Sequence, residues 1–111
     1  MIGLEELLYW DVLADLTYAD DLGTWELAGR AKVLNGVAGE AEKDTRLAAA
    51  NVIRRFVAES LVEIRRDWDD ASLLGADELG RLLESRTWAA PDHPYPRAIL
   101  TPRNEAHARI R

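Results

Sequence analysis

Cysteine is absent from this chain, so disulfides, thiol nucleophiles and cysteine-ligated zinc are all excluded. Proline is scarce, and three of its four occurrences, Pro91, Pro94 and Pro96, sit close together in one extended loop. No apolar run approaches the roughly 18 residues that a membrane span needs. The start, Met1-Ile2-Gly3-Leu4-Glu5-Glu6, carries acids where a signal peptide would carry bases, so the expected compartment is the cytoplasm. Histidine is almost missing. His93 and His107 stand alone, with no G-x-S-x-G or H-E-x-x-H pattern beside them, and Gly36-Val37-Ala38-Gly39 lacks the lysine and hydroxyl of a phosphate loop. Asp67, Asp69 and Glu78 match three positions of a calcium loop, but Ala71 and Ser72 stand where an oxygen ligand and a glycine are required. No catalytic, cofactor-binding or metal-binding residue is therefore expected, and an enzyme is not.

Positive charge is also short, and unevenly so. The net charge is −6, and residues 1–30 hold seven acids against one base, Arg30. Residues 67–92 are again acidic, while 40–66 and the C-terminal residues 93–111 are mildly basic. An acidic balance of this kind discourages nonspecific nucleic-acid binding and favours a basic protein partner.

What is present is enough for one domain spanning residues 1–111, with 48% hydrophobic and 31% charged residues. Leu4 to Thr17 reads as a first helix, with Leu4, Leu8 and Val12 on one line and Tyr9, Leu13 and Leu16 on another. Ala19 to Gly23 reads as a turn. Thr24 is the expected N-cap of a second helix that Asn35-Gly36 closes, both residues tolerating positive φ. Thr45 to Val57 carries Ala49, Val52, Ile53, Phe56 and Val57 at helical spacing, and Asp44 is its expected cap. Leu61 to Arg66 then alternates apolar and polar as a half-buried strand does. A fourth helix is expected over Ala76 to Ser85, a second strand over Arg97 to Leu100, and a last short helix capped by Thr101 with Pro102 at its first position. The expected class is mainly α with a small two-stranded β element.

The run of helix, helix, turn, helix and strand resembles the winged helix-turn-helix superfamily. In that family a glycine-leucine-valine-glutamate stretch opens the first wing strand, and leucine-threonine-proline follows the second. The matching stretches are Ser60-Leu61-Val62-Glu63 and Leu100-Thr101-Pro102-Arg103-Asn104, with Ser60 and Asn104 where the pattern has glycine. About thirty residues, including the fourth helix, separate the two strands where a simple wing has a short loop. The resemblance implies a DNA-binding regulator that reads through its third helix (about 40–57) and dimerises through the first. The residues that would carry it are Lys43, Asn51, Arg54 and Arg55, with Arg65, Arg66 and Arg97 from the wing.

Charge argues the other way. The N-terminal part of that third helix holds Glu40, Glu42 and Asp44, and carboxylates repel phosphates. The leading expectation is a small acidic binding module of immunity, antitoxin or inhibitor type, facing a basic protein partner. Its candidate contact residues are Asp20 and Asp21 in the first turn, and Asp67, Trp68, Asp69 and Asp70 in the turn after the first strand. A tryptophan among acids combines an apolar anchor with electrostatic steering, though Trp68 folded back over the first helix is an equal reading. Trp25 and Trp88 read as packing residues.

Overall fold

The computed structural model describes residues 3–16, 21–36, 45–66, 72–85, 88 and 98–102. The chain runs α1 (Leu4–Leu16), β1 (Leu22–Gly23), α2 (Thr24–Asn35), α3 (Thr45–Ala58), β2 (Val62–Arg65), α4 (Ala76–Glu84) and β3 (Ile99–Pro102). It is mainly helical, with a small antiparallel sheet in the order β1-β3-β2. None of the described helices is long and apolar enough to cross a membrane.

The helical stripes read from the sequence form the core. The six stripe positions of α1 (Leu4, Leu8, Tyr9, Val12, Leu13 and Leu16) are buried, as are Ala49, Val52, Ile53 and Phe56 of α3 and Leu79, Leu82 and Leu83 of α4. Val57 departs from its expected place, because the α3 stripe ends at Phe56 and leaves it 38% exposed. Trp88 is buried as expected, and Trp25 is half-buried.

α3 ends in a Schellman motif. The Ser60 N–H donates to the Val57 carbonyl at 3.0 Å and the Leu61 N–H to the Phe56 carbonyl at 2.9 Å. That geometry needs a left-handed residue, and Ser60 supplies it at φ 58°. This is the position where the winged-helix pattern has glycine, so the serine holds the glycine conformation at a local steric cost. Leu61 is thereby turned under the helix it leaves, and β2 follows with Val62 and Ile64 inward and Glu63 outward.

Three local expectations are corrected. The sheet has three strands, since Leu22–Gly23 pairs with β3 (Leu22 opposite Leu100, Gly23 opposite Ile99) where a turn was expected. Gly23, rather than Thr24, is the cap of α2: its N–H donates to the Glu26 carboxylate at 2.6 Å, while Thr24 is wholly buried and donates its N–H to the Ala98 carbonyl at 2.9 Å. Glycine there lets the Trp25 ring lie close against the backbone, since a Cβ would stand 2.4 Å from the ring and displace it. At the other end of α2, Gly36 is right-handed at φ −72°, so positive φ plays no part in stopping the helix.

Thr101 and Pro102 belong to β3 and do not begin a helix. The strand pairs across its whole length with β2, Val62 opposite Pro102 through Arg65 opposite Ile99. Proline inside a central strand normally forfeits a ladder bond. Here β1 reaches only Ile99 and Leu100, so Pro102 lies beyond the end of that neighbour. The final helix expected after Pro102, the proline-rich loop and the start of the third helix before Thr45 lie outside the described residues.

Candidate functional site

The polar face of α3 was the sequence's candidate surface for DNA, and α1 lies across it. The Asn51 amide donates to Glu5 at 2.6 Å, and the Arg55 guanidinium donates to Glu6, also at 2.6 Å. Arg54 donates to the Asn51 side-chain oxygen at 3.4 Å. Both acids come from the first turn of α1, where carboxylates also complement the helix dipole.

Arg55 is the centre of a wider network. Its guanidinium carbon sits 3.8 Å over the Tyr9 ring, and its Nε lies 3.7 Å from Glu59 one turn further along the helix. The Tyr9 hydroxyl donates to Glu59 at 2.7 Å, and the Tyr9 ring stacks on Phe56 with centroids 4.9 Å apart. On the outer side Trp10 meets Tyr9 edge-on and donates its indole N–H to Glu6 at 3.2 Å. The hydrogen bond from Arg55 holds the Glu6 carboxyl below the usual glutamate range, and the same bond raises the pKa of Arg55.

The cations that the sequence assigned to a wing are matched in the same way. Arg65 donates to Asp21 at 2.5 Å, so a candidate partner-binding acid and a candidate DNA-binding base are bound to each other. Arg66 grips Glu78 with both terminal nitrogens, at 2.5 and 2.9 Å, and its Nε donates to the Ser72 hydroxyl at 3.0 Å. The forked bond holds the Glu78 carboxyl below its ordinary range. Asp20, Lys43, Asp67, Trp68, Asp69, Asp70 and Arg97 lie outside the described residues.

A consequence for stability follows from Glu6 and Glu78. Their folded-state pKa values are depressed below the usual 4.5, so the unfolded chain takes up protons first as the pH falls. Their contribution is fully present above the unfolded value and is lost as pH falls through the lower folded values. Urea midpoints measured from about pH 6 down to about pH 3 should therefore decline, and less steeply in the Glu6→Gln/Glu78→Gln double variant. Parallel declines in the two proteins would show that these pairs do not hold in solution.

Sequence reasoning missed Glu5, Glu6 and Glu78 as the partners of the candidate DNA-facing residues Asn51, Arg55 and Arg66. Glu5 and Glu6 lie 46 and 49 residues from Asn51 and Arg55, and no local spacing rule reaches that far. Among the described residues, two clefts flank the site. One, of about 240 Å³, lies between Arg46, Leu47, Ala50 and Arg54 of α3 and Leu83 and Glu84 of α4. The other lies at the far end of α3, against β2.

Comparison with protein-family models, with curated proteins and with solved structures found no match to this chain.

Proposed function

We propose that the chain is a non-enzymatic acidic binding module, built on a winged-helix type of framework, that engages a basic protein partner in the manner of a small immunity, antitoxin or inhibitor protein. The framework part rests on α3 running directly into β2 and on β3 returning beside it. α4 occupies the place of a simple wing loop.

One observation carries the functional part. Of the five described candidates for meeting DNA, Asn51, Arg55, Arg65 and Arg66 are each held by a carboxylate of the same chain, and exposed Arg54 donates to the Asn51 side-chain oxygen. Duplex affinity comes largely from cations that exchange counterions for phosphate. A guanidinium already bound to a carboxylate must give up that charge-assisted bond first. With a net charge of −6 the surface repels a duplex and attracts a basic protein.

The test has two arms. A labelled fragment of the chain's own promoter region should show no shift at about 50 mM salt, where nonspecific cationic binding is already strong. Purification from the native host should yield a basic protein in stoichiometric amount, lost when Asp67, Asp69 and Asp70 are changed to lysine. A DNA shift that Arg54→Ala plus Arg55→Ala weakens would overturn the proposal in favour of a regulator reading through α3.

A further inference from the structure

The cleft between α3 and the end of α4 carries one exposed charge of each sign on opposite rims. Ala50 and Leu83 line it and are buried, while Leu47 and Arg54 on the α3 side and Glu84 on the α4 side are exposed. Arg54 donates only to the Asn51 side-chain oxygen, at 3.4 Å, and among the described residues neither Arg54 nor Glu84 stands in an ion pair. The neighbouring cations are engaged elsewhere. Arg46 also lines the cleft, but it donates to the Ser85 carbonyl at 3.2 Å and so caps the end of α4. Arg81, one turn before Glu84, is exposed on the Glu78 side of α4, where its field acts on that carboxylate after the stronger bond from Arg66.

Leu47 is the exposed apolar group at this place, 51% open to solvent beside a cleft of about 240 Å³. It lies seven residues before Arg54, so the two share one outward line of α3, two turns apart. A cation on one rim and an anion on the other make a patch that complements itself. A two-fold axis running along the cleft sets the α3 rim of each copy against the α4 rim of the other. Arg54 then meets Glu84 at two symmetric places, and each Leu47 comes to lie over the apolar floor of the facing cleft.

We infer that this cleft is the contact surface for a second copy of this chain, in an isologous dimer where Arg54 of each copy pairs with Glu84 of the other around the two Leu47 side chains. Charge selects the occupant. A basic partner is opposed there by Arg54 and an acidic one by Glu84, whereas a second copy satisfies both. The helix rims that meet are only about 15 Å long at 1.5 Å per residue, so the interface is small and a dissociation constant of about 10–100 μM is expected. The dimer also engages Arg54, the described DNA candidate that no carboxylate of its own chain holds. The inference goes beyond the protein-binding reading and does not rest on it.

Sedimentation equilibrium on the full chain, from about 5 μM to about 1 mM, measures the association. A monomer–dimer equilibrium is expected. Leu47→Lys, Arg54→Glu and Glu84→Arg should each weaken it by about tenfold or more, the last two by setting like charges against each other at both symmetric contacts. All three alter exposed side chains, so far-UV circular dichroism should stay unchanged. The deciding measurement mixes Arg54→Glu with Glu84→Arg. In that pair both contacts again join opposite charges, so a one-to-one dimer should form at concentrations where neither variant dimerises alone.

A chain that stays monomeric to about 1 mM, charge variants that dimerise as the parent does, or a mixture that remains monomeric would each overturn the inference. So would a dimer kept by Leu47→Lys and lost on Trp10→Lys, since Trp10 is the half-exposed tryptophan of α1 and its loss would place the contact there. The protein-binding reading is judged separately. A basic partner that still co-purifies with Leu47→Lys and is lost on changing Asp67, Asp69 and Asp70 bears on that reading and not on this cleft.

Discussion

Replacing Phe56 with alanine is expected to cost about 3–5 kcal/mol, the usual range for deleting a buried aromatic ring. Phe56 is fully buried, and its ring stacks on Tyr9 at 4.9 Å, so one deletion opens a void between α1 and α3. The void lies against the Tyr9 ring that the Arg55 guanidinium covers, and it removes the surface that positions Tyr9 for its bond to Glu59. Collapse into the cavity is opposed on both sides by helices already in contact. A domain of ordinary stability, about 5–15 kcal/mol, would keep little margin after such a loss. Urea unfolding followed by tryptophan fluorescence measures it, with Val57→Ala as the comparison. Val57 is 38% exposed, so its truncation should cost less than about 1 kcal/mol. Similar losses for the two neighbours would mean that α1 does not pack on the Phe56 side of α3.

The contrast between adjacent positions also shows where the sequence was legible. Periodicity named the buried face of α1 without error and the line Ala49, Val52, Ile53 and Phe56 of α3, though not the buried Ala48 and Ala50 beside it, because burial against a core imposes a repeat that a short window can read. It failed at Val57, one step beyond the last turn that a neighbour covers. β1 escaped notice for a different reason. Leu22–Gly23 is two residues long, too short to show alternation, and it is a strand only because β3 passes beside it. Thr101-Pro102 was misread because the rule for proline at a helix start is local. Its membership of β3 is set by Val62 and Glu63, some forty residues earlier. Ser60, where the sequence offered serine in place of a pattern glycine, adopts φ 58° because the α3 cap needs a left-handed residue there.

The candidate site was legible in its residue types and not in its pairings. A helical wheel places Asn51, Arg54 and Arg55 on the side away from Ile53 and Phe56. It says nothing about which acids will stand opposite them. Glu5 and Glu6 reach that face because Leu4, Leu8 and Val12 fix the rotation of α1 about its own axis. Packing of the apolar face therefore decided the electrostatics of the polar one. Arg65 and Asp21, assigned from sequence to opposing functions, neutralise one another for a similar reason: β3 sets β1 and β2 side by side around it.

Trp88→Ala should be as costly as the loss of Phe56, about 3–5 kcal/mol. Trp88 is 1% exposed, and its indole N–H donates to the Leu83 carbonyl at 3.1 Å, tying the last turn of α4 to the core. Trp88→Phe keeps most of the volume and loses only the hydrogen bond, so it should cost about 1–3 kcal/mol. The order of these two losses bears on what α4 is. An insertion that merely decorated a wing could be detached with little effect on the rest. Yet Leu79, Leu82, Leu83 and Trp88 share one apolar cluster with Phe56, Ile64 and Leu100. On that packing, replacing residues 76–84 with a short glycine-serine loop should abolish cooperative unfolding, because the sheet and the end of α3 would lose the side chains that cover them. A shortened chain that kept its urea midpoint would make α4 an appendage and would reduce the cost of Trp88→Ala to that of a surface residue. If cooperativity is lost instead, α4 stands as part of the described core, held in place by the same leucines that hold the domain together.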